Sequence, residues 1–157
     1  MIKVKAIYVN KPFKSGKDYF IYTDVEVSGH ASNTDYSTNN KVCAGVSACC
    51  SGIYRLMNDE QFKVEYGKGY FHCYTNVRVN MKSRLDKDSI YALNTLICQL
   101  FEIYNRYPTA FKSFELVDEK EIIEDGKQPN KQKRKPFRRR NHLGIHSLIE
   151  SPHFEEN

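Results

Sequence analysis

The sequence predicts an α+β domain: a small mixed β-sheet with two helices packed on one face, in the order ββαββα with a possible short final strand. Three observations lead there. Short runs rich in Ile, Val, Tyr and Phe alternate with period two around Gly- and Pro-bearing turns. Two longer stretches switch to helical periodicity. Each pair of strand-like runs is followed by one helical stretch, all within residues 1–118 of the 157.

Residues 2–9 read as the first strand, 10–17 with Pro12 and Gly16 as a hairpin loop, and 19–27 as the returning strand. Residues 29–40 are small and polar without apolar periodicity, and a loop of that length in a compact domain is usually functional. From 41 to 57, Val42, Val46, Cys49, Cys50, Ile53 and Met57 share one helical side, with Asn40 or Asn39 as the expected N-cap. Ala44, Gly45, Ser47 and Ala48 keep this helix slim enough for another backbone to approach. Residues 61–66, the turn at 67–69 and residues 70–79 read as a second hairpin. Asp86 or Asp88 caps the clearest helix of the chain, whose apolar stripe is Ile90, Leu93, Ile97, Leu100 and Tyr104, and Pro108 ends it. Residues 114–117 supply the short last strand.

Beyond Asp118 the character changes, and residues 119–157 read as a flexible charged tail. Residues 1–126 hold 16 basic and 16 acidic side chains, residues 127–140 hold eight basic and no acidic ones, and residues 141–157 add three Glu. The net charge of +5 therefore comes from one run, not from the body. Arg138, Arg139 and Arg140 in that run are candidate nucleic-acid contacts, of the salt-dependent phosphate-tracking kind. A solvated tail is the equally simple reading.

The composition, 40% apolar with 11 Tyr and 9 Phe, excludes wholesale disorder. No stretch approaches the roughly 18–20 apolar residues of a membrane span. The N-terminus reads as a strand rather than a secretory signal, so a cytosolic protein is expected. Five cysteines, none spaced as CxxC, do not make a disulfide framework. A zinc site built from Cys49, Cys50, His72 and Cys73 lacks the spacing of structural sites, and no cofactor is expected. Cys49, Cys50, Cys73 and Cys98 fit core packing, with His72 on the opposite face of its strand from Cys73.

Cys43 and His30 are the reactive candidates. With Asn40 as N-cap, Cys43 stands at the third helical position, where unpaired amide N–H groups and the positive helix end favour an anion. His30 follows the end of a strand, and a loop of this length can fold it back onto the thiol. Ser47, one turn after Cys43, faces the same way and can orient the imidazole or a substrate carbonyl. The first-turn amides would serve as oxyanion donors. The plain alternative is a space-filling cysteine and a solvated loop histidine.

Gly29-His30-Ala31, the polar loop after it and Val42-Cys43-Ala44-Gly45-Val46-Ser47 together resemble the signature of the ribosomal-processing cysteine protease family, Prp. The resemblance extends over residues 1–118, because family members place the His after the second of two strands and the Cys at the start of the first helix. It implies a homodimeric protease of the bacterial cytosol that removes a short N-terminal extension from a large-subunit ribosomal protein, cutting after a pair of aromatic residues. It assigns His30 as general base, Cys43 as nucleophile and Ser47 as the supporting polar residue, with Gly29 beside the base. Tyr36 and the aromatics of the sheet are candidates for gripping the substrate. Asn40 departs from the family's Asp three positions before the Cys, which removes a negative charge from the His. Asp35 is a candidate to replace it. The tail has no counterpart in the family pattern, and rRNA is its natural partner if the substrate is ribosomal.

Two other readings stand beside this one. A catalytically weak or inactive Prp-like module would bind ribosomal protein or rRNA without turnover. A redox-sensing protein would use Cys49 and Cys50 and cleave nothing.

Overall fold

The computed structural model describes residues 1–12, 18–75 and 85–125. Strands β1 (Ile2–Pro12) and β2 (Asp18–Ser28) form the central hairpin, followed by helix α1 (Tyr36–Tyr54). Strands β3 (Phe62–Gly67) and β4 (Tyr70–Thr75) form the second hairpin, helix α2 (Lys87–Arg106) follows, and a 3₁₀ turn (Pro108–Ala110) leads into strand β5 (Phe111–Asp118). The sheet order is β3-β4-β2-β1-β5, antiparallel except for the parallel pair β1–β5, so the sheet is mixed as expected.

Period-two alternation divides the sheet into two faces. Val4, Ala6, Val25, Val27, Phe71 and Cys73 are buried on the side that the helices cover. Lys3, Lys5, Glu26 and Tyr70 point the other way, where His72 Nε2 meets Asp24 Oδ1 at 3.0 Å. His72 and Cys73 therefore lie on opposite faces and cannot share one metal ion with Cys49 and Cys50. A β-bulge between Ile7 and Tyr8 keeps Tyr8 and Tyr22 inward past the irregularity.

Helix α1 buries Val42, Val46, Cys50 and Ile53, while α2 buries Ile90, Leu93, Leu96, Ile97 and Leu100. Each such aliphatic side chain is worth roughly 1.5–3 kcal/mol of transfer free energy. Tyr104, the last member of the α2 stripe, packs edge-on against Phe111 and at a tilt against Phe114, at ring-centroid distances of 5.5 and 5.4 Å. Asp86 is the N-cap of α2, accepting from the Ser89 N–H at 2.9 Å. The Ser89 hydroxyl donates to the same carboxylate at 2.9 Å and accepts from the Asn58 N–H at 3.0 Å, which ties the segment before β3 to the start of α2. Asn94 crosses from helix to sheet, donating to the Phe20 and Ile90 carbonyls, both at 2.8 Å.

Several boundaries differ from the sequence reading: β1 runs on to Pro12, three residues past its expected end, and α1 ends at Tyr54 rather than near 57. Helix α1 starts at Tyr36, five residues before the expected start, because Asp35 rather than Asn40 is its N-cap. Its first turns face water, so no apolar stripe reveals them. Strand β5 starts at Phe111 instead of 114. Residues Glu119–Asp125, expected in the flexible tail, form a short helix α3 that packs on β1 and β5. This stretch is made largely of good helix formers, with Asp118 accepting from the Lys120 N–H at 3.0 Å at its start. The expected strand residues 76–79 and the basic run lie outside the described residues.

Candidate active site

β2 ends at Ser28, and the chain must turn sharply to pass the N-terminus of β1. Gly29 does so at φ 90°, and a Cβ there would lie 2.5 Å from the Met1 carbonyl oxygen. Only glycine meets both demands. Its N–H donates to the Gly69 carbonyl at 2.9 Å, which fastens the end of β2 to the β3–β4 turn. His30 is the next residue, exposed, with its ring against Gly69. The chain then reaches α1 through Asn33, at φ 68°, whose amide donates to the Met1 thioether at 3.2 Å. Thr34 and Asn39 close the loop by donating to each other's oxygen atoms.

Asp35 caps α1 by accepting from the Thr38 N–H at 3.0 Å and the Thr38 hydroxyl at 2.5 Å. These bonds hold its carboxyl below the ordinary carboxylate value. The carboxylate is committed to Thr38, and among the described residues no acidic side chain forms an ion pair with His30. The negative charge that Asn40 omits is therefore not resupplied by Asp35.

With the cap at Asp35, Cys43 is the eighth residue of α1 and not its third. Its own N–H belongs to the helix interior, so the expected set of free first-turn amides does not stand beside the sulfur. A different donor does: the Ala31 N–H reaches Cys43 Sγ at 3.2 Å. Nothing in the residue type of Ala31 announces a main-chain contact, and the sequence reading missed it.

Gly29, His30, Cys43 and Ser47 line one cleft between α1 and the tip of the β3–β4 hairpin. Cys43 and Ser47 enter it from the same side of α1, four residues apart, as their spacing predicts. Tyr66, Gly67, Gly69 and Tyr70 form the opposite wall, with Phe71, Val27 and Ile2 beneath. Tyr66 stacks on Tyr54 at 6.2 Å between ring centroids, which gives the wall an aromatic rim. No hydrogen bond joins His30 to Cys43 among the described residues. Catalytic contacts in substrate-free enzymes are often loose and tighten in the complex.

Tyr36 and Asn40 are not in the cleft lining. Tyr36 opens α1 with 82% of its surface exposed, and Asn40 faces solvent on the next turn. The aromatics that do line the cleft come from the second hairpin, where the sequence reading placed sheet aromatics without singling out Tyr66 or Tyr70. Burial pushes the thiols of Cys50 and Cys73 up to about 12 and raises those of Cys49 and Cys98 as well. Arg138, Arg139 and Arg140 lie outside the described residues.

Known proteins resemble this chain in sequence and fold. The family described as cysteine protease Prp matches residues 1–112. The structure of an essential ribosomal processing protease Prp from S. aureus, in complex with a covalently linked product peptide, is similar at 28% identity and a TM-score of 0.51. That similarity covers 73% of this chain and 99% of the other. The same S. aureus protease with a substrate peptide matches at 26% identity and a TM-score of 0.51, over the same shares of the two chains. No curated protein matches the sequence.

Proposed function

The chain belongs to the cysteine protease Prp family, and from that premise we propose that it is a cysteine endopeptidase that removes a short N-terminal extension from a large-subunit ribosomal protein during ribosome assembly. The observation that carries the reading is the cleft itself. It gathers a thiol and a hydroxyl from α1 and an imidazole from the loop after β2, beside an aromatic wall suited to an extended peptide. The S. aureus relative, crystallised with substrate and product peptides, supports a peptide as the ligand of that cleft.

The proposed chemistry is acyl transfer. His30 takes the Cys43 proton, and Sγ attacks the scissile carbonyl carbon to form a C–S bond. The Ala31 N–H, 3.2 Å from Sγ, is aimed at the sulfur where negative charge gathers. The tetrahedral oxyanion takes a hydrogen bond from the Ser47 hydroxyl, which replaces the helix-end amides that the structure puts two turns away. The C–N bond breaks as the imidazolium of His30 gives its proton to the leaving amine. Water, deprotonated by His30, then cleaves the thioester, releasing a carboxylate and the free thiol. Gly29 serves by turning the chain so that His30 enters the cleft, and Tyr66 takes the gripping role first assigned to Tyr36.

The protein acts in the bacterial cytosol as a homodimer in this reading, and Arg138, Arg139 and Arg140 contact rRNA near the substrate. None of the described helices is long and apolar enough to cross a membrane. The test is incubation of the full chain with the precursor ribosomal protein of its own organism, alongside Cys43→Ala and Cys43→Ser. A single cut near the precursor's N-terminus, absent with both variants and mapped by mass spectrometry, is expected. A stable, salt-sensitive complex without any cut would sink the protease and leave the binding module.

A further inference from the structure

A general base works only if its ring is held still at the right place, since a displacement of about 1 Å can cost roughly 100-fold in rate. His30 has little to hold it. It is exposed, it sits on a short loop, and among the described residues no hydrogen bond orients its ring. What confines the ring is a space. A Cβ on Gly69 would lie 2.5 Å from His30 Nε2, 2.8 Å from Cε1 and 3.3 Å from Cδ2. The imidazole can keep its place only while position 69 carries no side chain. The bond from the Gly29 N–H to the Gly69 carbonyl, 2.9 Å, ties the turn to the loop that carries His30, so seat and ring are fixed to each other.

We infer that Gly69, in the tip of the β3–β4 hairpin, is a positioning residue for His30, its bare Cα forming the seat on which the imidazole rests. The role rests on the proposed protease reading for its purpose, but not for its geometry. It also differs from ordinary turn-making. Gly69 has φ +71°, a conformation glycine adopts freely and asparagine tolerates. Asparagine therefore satisfies the backbone and violates the seat, which separates the two demands on this residue.

The experiment compares the full-length wild type, Gly69→Asn, Gly69→Ala and His30→Ala. Two readouts do not depend on cleavage: the nuclear Overhauser contact between the Gly69 Hα protons and the His30 ring, and the pH profile of Cys43 alkylation by iodoacetamide. The contact is expected in the wild type. With Gly69→Asn, the alkylation profile should move onto that of His30→Ala, and kcat for precursor cleavage should fall roughly 100-fold with KM little changed. A merely structural role would lower the melting temperature and leave the alkylation profile where it was. The inference is overturned if the wild type shows no contact, or if Gly69→Asn keeps the wild-type profile. A variant too unstable to measure leaves the wild-type contact as the deciding observation. A wild type that cuts no precursor defeats the protease reading alone, since contact and profile still decide the seat.

Discussion

Replacing Ser47 by Ala separates catalysis from folding more cleanly than any other single change in this cleft. The hydroxyl is exposed, lines the cleft and makes no hydrogen bond among the described residues, so its removal orphans no partner. Alanine is also the better helix former, by up to about 0.5 kcal/mol in a helix interior. Stability should therefore stay level or rise slightly. If the hydroxyl donates to the oxyanion, its loss removes about 2.7–4 kcal/mol from the transition state alone, or roughly 100- to 1000-fold in kcat. KM should hardly change, because the bond is absent from the ground state. The assay pairs steady-state cleavage of a peptide spanning the processing site with urea unfolding of the same preparation. A loss of kcat below about threefold would refute the role given to Ser47. A parallel fall in stability would refute the inference that the hydroxyl is structurally idle.

Two further outcomes follow from the packing. Cys50 and Cys73 remain thiols in the folded chain up to about pH 12, whereas in the unfolded chain they ionise near 9. The folded state thus holds more protons between those values, and stability falls as pH rises from 9 towards 12, by up to ~1.4 kcal/mol per unit for each thiol. Urea midpoints at pH 8 and pH 10 check the sign, and native alkylation of Cys73 at pH 8 would contradict its burial. Asp86→Ala removes the cap of α2 and the acceptor of the buried Ser89 hydroxyl together. A loss of about 2 kcal/mol is expected, largely restored by Asp86→Asn, which keeps an acceptor oxygen; equal losses in the two variants would count against the cap.

Much of the fold is legible in the chain because alternation and helical periodicity record burial directly. Val4, Ala6, Val25 and Val27 mark the covered face of the sheet, and Ile90, Leu93, Ile97 and Leu100 mark the stripe that covers it. The start of α1 was not legible for the same reason. Tyr36 to Lys41 are mostly exposed or polar, so no apolar pattern distinguishes two turns of solvated helix from a loop, and only the bonds from Asp35 to Thr38 decide it.

The site divides along the same line. Residue type and order nominated Cys43, His30 and Ser47, because a thiol, an imidazole and a hydroxyl are chemistry that can be read one residue at a time. The fold alone decided what surrounds them. The donor to Cys43 is a main-chain N–H of Ala31, and the seat of His30 is the absence of a side chain at Gly69, 39 positions further along. Backbone amides and empty space leave no signature in amino-acid type. They acquire meaning only when the β2 end, α1 and the second hairpin are brought to one cleft by the burial of the core beneath it.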